Sequence, residues 1–365
     1  MGFVALAKRV QVSVLSEEVD ELLLAAEWVA DRQRLDYEFL VRLEPVLTSQ
    51  GRWRAAVHIL SRFLALAERI SDTTGIIQLR LQQARYFTLL RNYAAASNAL
   101  SSVHGLLSQL YDPNRHRLEA MYLNSLGTVL QHQGKLDAAV SAFKKSAAIE
   151  RRSGNAQGEA VVLNSLGGVL QREGKLDEAL EAYERSYAIL KDLDDKGSLA
   201  MVLTRLGGLL ARQGKFSDAI DAFERSAEIE RRIGNDRGLA IVLNSLGSVL
   251  QRQGKLEEAT EAFRQSAGIE ERIGNERGQA VVLNSLAGVF QRQGKLGDAI
   301  DTLKRSYALF EKVGDDRSLA MVLNSLGGVL QRQSKFHDAM DVFQRSYQIF
   351  ERFGYRALRS LAALR

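Results

Sequence analysis

Leucine returns at a fixed distance along this chain. Aligned on itself at an offset of 40, the sequence places Leu123, Leu163, Leu203, Leu243, Leu283 and Leu323 in one column and Leu126, Leu166, Leu206, Leu246, Leu286 and Leu326 in another, without gaps. Within one copy, Leu163, Leu166, Gly167 and Leu170 follow the i, i+3, i+4, i+7 spacing of one helix face, which predicts a helix over 157–173. Gly174 ends it, because glycine takes the left-handed conformation that closes a helix at no steric cost. Leu176, Ala179, Leu180, Tyr183, Tyr187 and Leu190 give a second helix its own apolar face, and Asp177 and Glu178 suit the positive end of its dipole.

Further columns hold Gly134, Gly174, Gly214, Gly254 and Gly294, then Ala139, Ala179, Ala219, Ala259, Ala299 and Ala339, so six regular copies run over 118–357. Gly234-Asn235 and Gly274-Asn275 supply a helix stop followed by an N-cap. Each hairpin exposes an apolar face that only its neighbours can cover, which is the logic of an all-α solenoid. Upstream, Leu40, Leu43, Leu47, Gly51, Trp53, Ala56 and Leu60 fit the same frame, and Phe87, Tyr93, Ala96 and Leu100 suggest another copy, so 36–117 reads as two divergent repeats. Pro45 should kink the first of these helices, and Asp112-Pro113-Asn114 marks the turn into the regular array. Residues 1–35 contain an amphipathic helix over Ser16–Arg32, an N-terminal cap or the remnant of a preceding domain, and 358–365 reads as a C-terminal capping segment.

The series Leu163, Leu166, Gly167, Leu170, Gly174, Ala179, Tyr183, Ser186 resembles the tetratricopeptide repeat signature. Its 40-residue period, with a Gly-Asn or Gly-Asp turn, is similar to repeats of the Pins spindle adaptors, the kinesin light chains and the sensor arms of bacterial signalling ATPases. The resemblance implies a right-handed superhelix of antiparallel helical hairpins, about eight repeats in all, that binds an extended or helical peptide in its concave groove.

The residues suggest where. At about 100° per residue, Asn164, Gly168 and Gln171 share a polar face turned away from the leucine stripe, with Arg172 beside them. Stacked copies make ladders: Asn124, Asn164, Asn244, Asn284 and Asn324; Gln131, Gln171, Gln251, Gln291 and Gln331; Arg172, Arg212, Arg252, Arg292 and Arg332. An asparagine amide offers a donor and an acceptor to a peptide backbone, the small residues Thr128, Gly168, Gly208, Ser248, Gly288 and Gly328 leave room for it, and the arginines favour acidic groups. One rung departs, with Thr204, Arg205 and Ala211 in place of Asn, Ser and Gln. By contrast, the second-helix column Ala148, Ala188, Glu228, Gly268, Ala308, Gln348 has drifted freely. Ser146, Ser186, Ser226, Ser266, Ser306 and Ser346 read as small packing residues, and Phe143, Tyr183, Phe223, Phe263 and Phe343 as core.

Composition removes most other chemistry. The chain has no cysteine, hence no disulfide, thiolate metal site or cysteine nucleophile. Its net charge of +5 mixes 44 acidic with 49 basic side chains, a weak field that does not imply nucleic acid. The apolar run Leu22–Ala26 is too short to span a bilayer, and Lys8 and Arg9 follow rather than precede the first apolar residues, so neither membrane nor secretion is expected and the reading is cytoplasmic. His58, His104, His116, His132 and His337 lack metal-ligand spacing, and Gly168–Lys175 misses a phosphate loop in glycine spacing, in the hydroxyl after the lysine and in context. No enzyme and no cofactor are expected. The leading reading is a scaffold for a protein or peptide with acidic side chains; the alternatives are a sensor or autoinhibitory arm of a larger ATPase assembly and, from Leu358, Leu361 and Leu364, a self-associating solenoid.

Overall fold

The turns between helices close on residues in the left-handed conformation. Gly134, Gly154, Gly174, Gly214, Gly234, Gly254, Gly274, Gly294 and Gly314 have φ between 66° and 90°, and Ser71, Arg91 and Ser334 take the same conformation at 57°, 58° and 64°. Between hairpins the turn leads into a capped helix: the side-chain oxygens of Asn155, Asn235 and Asn275 each accept from the backbone N–H three residues on, at 3.1 Å. Asp195 and Asp315 do the same for Ser198 and Ser318, at 2.9 and 3.1 Å.

The computed structural model describes residues 47, 51–110 and 114–352. Within them lie fifteen helices and no strand: α1 (Trp53–Arg69), α2 (Thr73–Leu89), α3 (Tyr93–Gln109), α4 (Arg115–His132), α5 (Leu136–Arg152), α6 (Ala156–Glu173), α7 (Leu176–Lys191), α8 (Lys196–Arg212), α9 (Phe216–Arg232), α10 (Asp236–Gln253), α11 (Leu256–Arg272), α12 (Glu276–Arg292), α13 (Leu296–Val313), α14 (Asp316–Arg332) and α15 (Phe336–Arg352). The helix expected over 157–173 is α6, within one residue. The chain forms two compact units, one up to Ile189 and one from Leu190. Each is a stack of antiparallel hairpins in which helices pack on their neighbours along the chain, as α5 does on α4 and α6 in the first unit and α11 on α10 and α12 in the second. The helix expected over Ser16–Arg32, the Pro45 kink, Asp112-Pro113 and the segment with Leu358, Leu361 and Leu364 lie outside the described residues.

Two contacts hold each hairpin together. Ser146, Ser186, Ser226, Ser266, Ser306 and Ser346, all buried, donate from the second helix to the backbone oxygens of Ala120, Ala160, Ala200, Ala240, Ala280 and Ala320 in the first, at 2.7–2.8 Å. The serines are therefore packing residues with a hydrogen bond added, worth about 1 kcal/mol each. The second contact is steric. A Cβ on Gly127 or Gly167 would meet the ring of Phe143 or Tyr183 at 2.8 or 2.6 Å, so the ring occupies the space a methyl group would need. In the copy where Ala287 replaces the glycine, Leu303 replaces the ring, and both are fully buried.

A third device joins consecutive hairpins. Glu150, Glu230 and Glu270, in the last turns of α5, α9 and α11, are about 5% exposed and accept from the amide nitrogens of Asn155, Asn235 and Asn275 at 2.7–2.8 Å. One asparagine thus caps the next helix with its oxygen and satisfies a buried carboxylate with its nitrogen, which aspartate could not do. Leu190 and Phe310 replace this glutamate in two copies, and there the caps are Asp195 and Asp315.

Candidate functional site

The polar face of the first helices carries an apolar column beside its amides. Met121 and Val161 in the first unit, and Met201, Ile241, Val281 and Met321 in the second, are between 39% and 52% exposed. Each stands three residues before the asparagine-column position and two before the leucine stripe, some 200° from the core. The sequence reading missed this column, although the angle from Leu163 was the signal available for it. With it, the face reads apolar, amide, small, amide, cation at i, i+3, i+7, i+10 and i+11.

The asparagines lie at the edge of the core. Asn124, Asn244 and Asn284 are half-buried, Asn164 is 9% exposed and Asn324 is exposed. The Oδ1 atoms of Asn124, Asn244 and Asn284 are shielded from solvent and accept no hydrogen bond. An acceptor buried in that way costs about 1–3 kcal/mol. The departing rung has no such cost: Thr204 Oγ1 lies 2.9 Å from the backbone oxygen of Ala200 and 2.8 Å from Ser226 Oγ. Ala211, in the glutamine column of that rung, is buried. For the fold alone, threonine is the better solution, and the chain uses it once.

The glutamines are half-buried except for the exposed Gln331, and Gln171 Oε1 accepts from Tyr183 Oη at 3.4 Å. Added Cβ atoms on Gly208 and Gly328 meet nothing, so the small column opens onto free space at those rungs; at Gly288 the Gln251 amide stands 3.3 Å away. All five arginines are exposed, yet several already have structural work. Arg172 Nη1 donates to the backbone oxygen of Gln131 at 3.3 Å, and Arg292 Nη1 donates to that of Gln251. Both carbonyls lie in the last turn of the preceding first helix, where each also accepts from the closing glycine, Gly134 or Gly254, at 3.2 Å and the dipole favours a cation. Arg252 stands over the Phe216 ring at 4.9 Å. Reversing these charges would therefore disturb the stack as well as a ligand, and the asparagines make the cleaner probe.

One cavity bears on the face, and others open on the opposite side of the first helices. The cavity on the face, of about 530 Å³, opens between α2 and α4 in the first unit, lined by Arg85, Arg91, Tyr93, Asn124, Thr128 and His132. Tyr93 and His132 are stacked, 5.6 Å between centroids and 10° between planes. Partial burial, then Arg172 and Arg91, hold the pKa of His132 below its ordinary value. Cavities away from the face open between second helices: about 480 Å³ over Leu107, Tyr122 and Leu123 and about 270 Å³ over Leu163, Leu166 and Leu170 in the first unit, and about 390 Å³ over Leu283, Leu286 and Phe290 in the second. Their rims mix both charges, including the Arg185–Glu159 pair at 3.0 Å. Ala148 and Gly268 line them, so the second-helix column that drifts in sequence is not uniformly open surface. Among the described residues no cluster of three potential metal ligands occurs, and no helix is long and apolar enough to cross a membrane.

No curated protein sequence matches the chain. Among solved structures, apo RapI is similar at 15% identity over 76% of this chain and 99% of its own, with a TM-score of 0.58. A Rap protein complexed with Competence and Sporulation Factor is similar at 15% identity over 95% of this chain and 96% of its own, with a TM-score of 0.54. BtubC (BKLC) from P. vanneervenii, at 19% identity, covers 60% of this chain and 92% of its own, with a TM-score of 0.55. At these identities the likeness is one of fold. The model of the tetratricopeptide repeat matches residues 117–192, 198–271 and 278–352, more than half of the sequence, and the chain belongs to the tetratricopeptide repeat family of protein-interaction scaffolds.

Proposed function

We propose that the first-helix face grips an extended protein segment carrying acidic and apolar side chains, the asparagines pairing with its backbone, the exposed Met, Val and Ile column receiving its apolar side chains, and the arginines facing its carboxylates. The observation that carries this reading is the unpaired, buried Oδ1 of Asn124, Asn244 and Asn284 next to a copy in which Thr204 leaves nothing unpaired. A residue that the fold would exchange for threonine is kept for something other than the fold. At about 0.5–1.5 kcal/mol net per neutral hydrogen bond, several rungs support micromolar binding once ordering costs are subtracted. That one of the similar structures is a Rap protein complexed with Competence and Sporulation Factor supports a binding role for a fold of this kind.

The test is Asn244→Thr with Asn284→Thr. Helicity and melting temperature should hold or rise, while proteins captured from lysate by the wild type, identified by mass spectrometry, should be lost. An unchanged captured set from the folded variant would remove the asparagines from the binding face.

A further inference from the structure

The cavity of about 480 Å³ in the first unit lies away from the first-helix face, between α3 and α5 with α4 as its floor. Its volume falls within the roughly 300–1,000 Å³ of small-molecule sites. The floor is apolar and open. Leu123 is half-buried, whereas Leu163, Leu203, Leu243, Leu283 and Leu323 in the same column are at most 4% exposed. Tyr122, also half-buried, stands where the regular copies have Val162, Val202, Val242, Val282 and Val322. Its ring stacks on His104, 5.7 Å between centroids and 27° between planes. Burial raises the pKa of the Tyr122 phenol, which therefore stays protonated as a donor.

The rim carries cations without the partners that their columns have elsewhere. Arg185 pairs with Glu159 at 3.0 Å, but Lys145, in the column of Arg185, pairs with no described residue although Glu119 lines the same cavity. Arg272 and Lys312 pair with Asp236 and Glu276, but Arg152, in their column, has His116 in place of those carboxylates. Its Nε donates to the backbone oxygen of Ala148 at 3.2 Å, which leaves its terminal nitrogens for another acceptor. Arg115 stands where Asn155, Asn235 and Asn275 cap their helices; here it opens α4 as a cation at the positive end of the dipole, with no described partner. Among the described residues, these three cations against the one carboxylate of Glu119 leave an excess of two positive charges. A carboxylate ligand would neutralise one of them, whereas a phosphate monoester, at about −1.5 to −2 near pH 7, neutralises both.

We propose that this cavity is a site for a small aromatic phosphate monoester, with Arg115, Lys145 and Arg152 around the phosphate and the ring lying over the leucine floor beside Tyr122 and His104. Mononucleotides and simple aryl phosphates share that chemistry, and the probes separate them. The site shares no residue with the asparagine face, so either reading can fail while the other stands.

Isothermal titration calorimetry on the full chain reads the affinities of adenosine 5′-monophosphate, phenyl phosphate, adenosine and inorganic phosphate. Wild type should bind a monoester roughly tenfold or more tightly than adenosine or inorganic phosphate, each of which lacks one half of the ligand. Arg115→Gln and Lys145→Gln should each weaken the monoesters roughly tenfold, the size of one charge-assisted hydrogen bond. Neither residue has a described partner to lose, and Arg115→Gln relieves the helix dipole, so melting temperatures should equal or exceed that of wild type and lost binding is not lost folding. Tyr122→Val, the residue of the regular copies, should weaken the monoesters and leave inorganic phosphate unchanged. Tighter binding of the nucleotide assigns the body to a nucleoside, and tighter binding of phenyl phosphate assigns it to a single ring. No wild-type binding of either monoester, inorganic phosphate bound as tightly as the monoesters, or unchanged affinities in the folded Arg115→Gln/Lys145→Gln double variant overturns the site.

Discussion

Replacing Gly127 by alanine and Phe143 by leucine, singly and together, tests whether ring against glycine is what sets the spacing within a hairpin. The added Cβ would lie 2.8 Å from Phe143 Cε1 and 2.9 Å from Cδ1 and Cζ, against a comfortable carbon–carbon separation of about 3.5–4.0 Å. Phe143 is fully buried and cannot swing away, so the ring or α4 must shift by about 0.7 Å. Overpacking of that kind costs about 1–3 kcal/mol, offset by the gain of about 0.5–1 kcal/mol when alanine replaces glycine within a helix. Phe143→Leu alone removes ring atoms from a filled space and costs about 1 kcal/mol or more. Together the leucine vacates what the alanine fills, as Ala287 and Leu303 do in a later copy, so the pair should recover about 1–2 kcal/mol of the summed single costs. Urea unfolding followed by circular dichroism gives the totals. Because stacked repeats can open piecemeal, hydrogen exchange on the amides of α4 and α5 locates the change. Strictly additive effects would refute the claim that the two columns vary as a pair.

The buried glutamates make stability depend on pH. Burial is the main cause that raises Glu230 and Glu270 above the ordinary value of 4.5, so the folded chain binds protons that the unfolded chain has released; their contribution is complete below 4.5 and is lost as pH rises through the raised value. Glu270→Gln keeps an acceptor for Asn275 without the charge, and its urea midpoint relative to wild type should rise between pH 4 and pH 7; a constant difference would show that the carboxylate is not desolvated. Gly278→Ser should destabilise by about 1–3 kcal/mol, since its Cβ would stand 2.4 Å from Asn275 Nδ2 and 2.6 Å from Glu270 Cδ. Adding Glu270→Leu and Asn275→Asp copies the Leu190, Asp195, Ser198 arrangement and should restore the melting temperature, which no single one of the three changes should do. Thr204→Asn with Ala211→Gln rebuilds the departing rung and should tighten binding of a fluorescein-labelled peptide of alternating Leu and Glu severalfold by anisotropy while lowering stability, because Thr204 gives up its bond with Ser226.

How much of the molecule was legible in the sequence depends on the range of each interaction. Gly174 closing a helix, Asn235 capping the next and Leu163 with Leu166 facing inward all depend on residues a few positions apart, and a period of 3.6 makes them visible in the chain itself. The same period places Asn244, Gln251 and Arg252 on one face, but not the depth to which each sinks there. Depth is set by neighbouring hairpins: Arg172 reaches the carbonyl of Gln131 across 41 positions, and the shielding of Asn244 Oδ1 depends on helices packed around α10. Hence the arginine ladder reads as ligand chemistry in sequence and proves to be partly a brace between repeats. Departures among the copies carried more information than their agreement, because agreement fits both packing and binding. Thr204 marks the asparagine that packing would replace, Ala287 with Leu303 marks the glycine that the ring requires, and Ser318 with Phe310 marks the glycine that the carboxylate requires. His132, weighed in the sequence only as a metal ligand, is the corresponding departure in the arginine column, and it lies in the cavity where basic groups gather and no described carboxylate joins them.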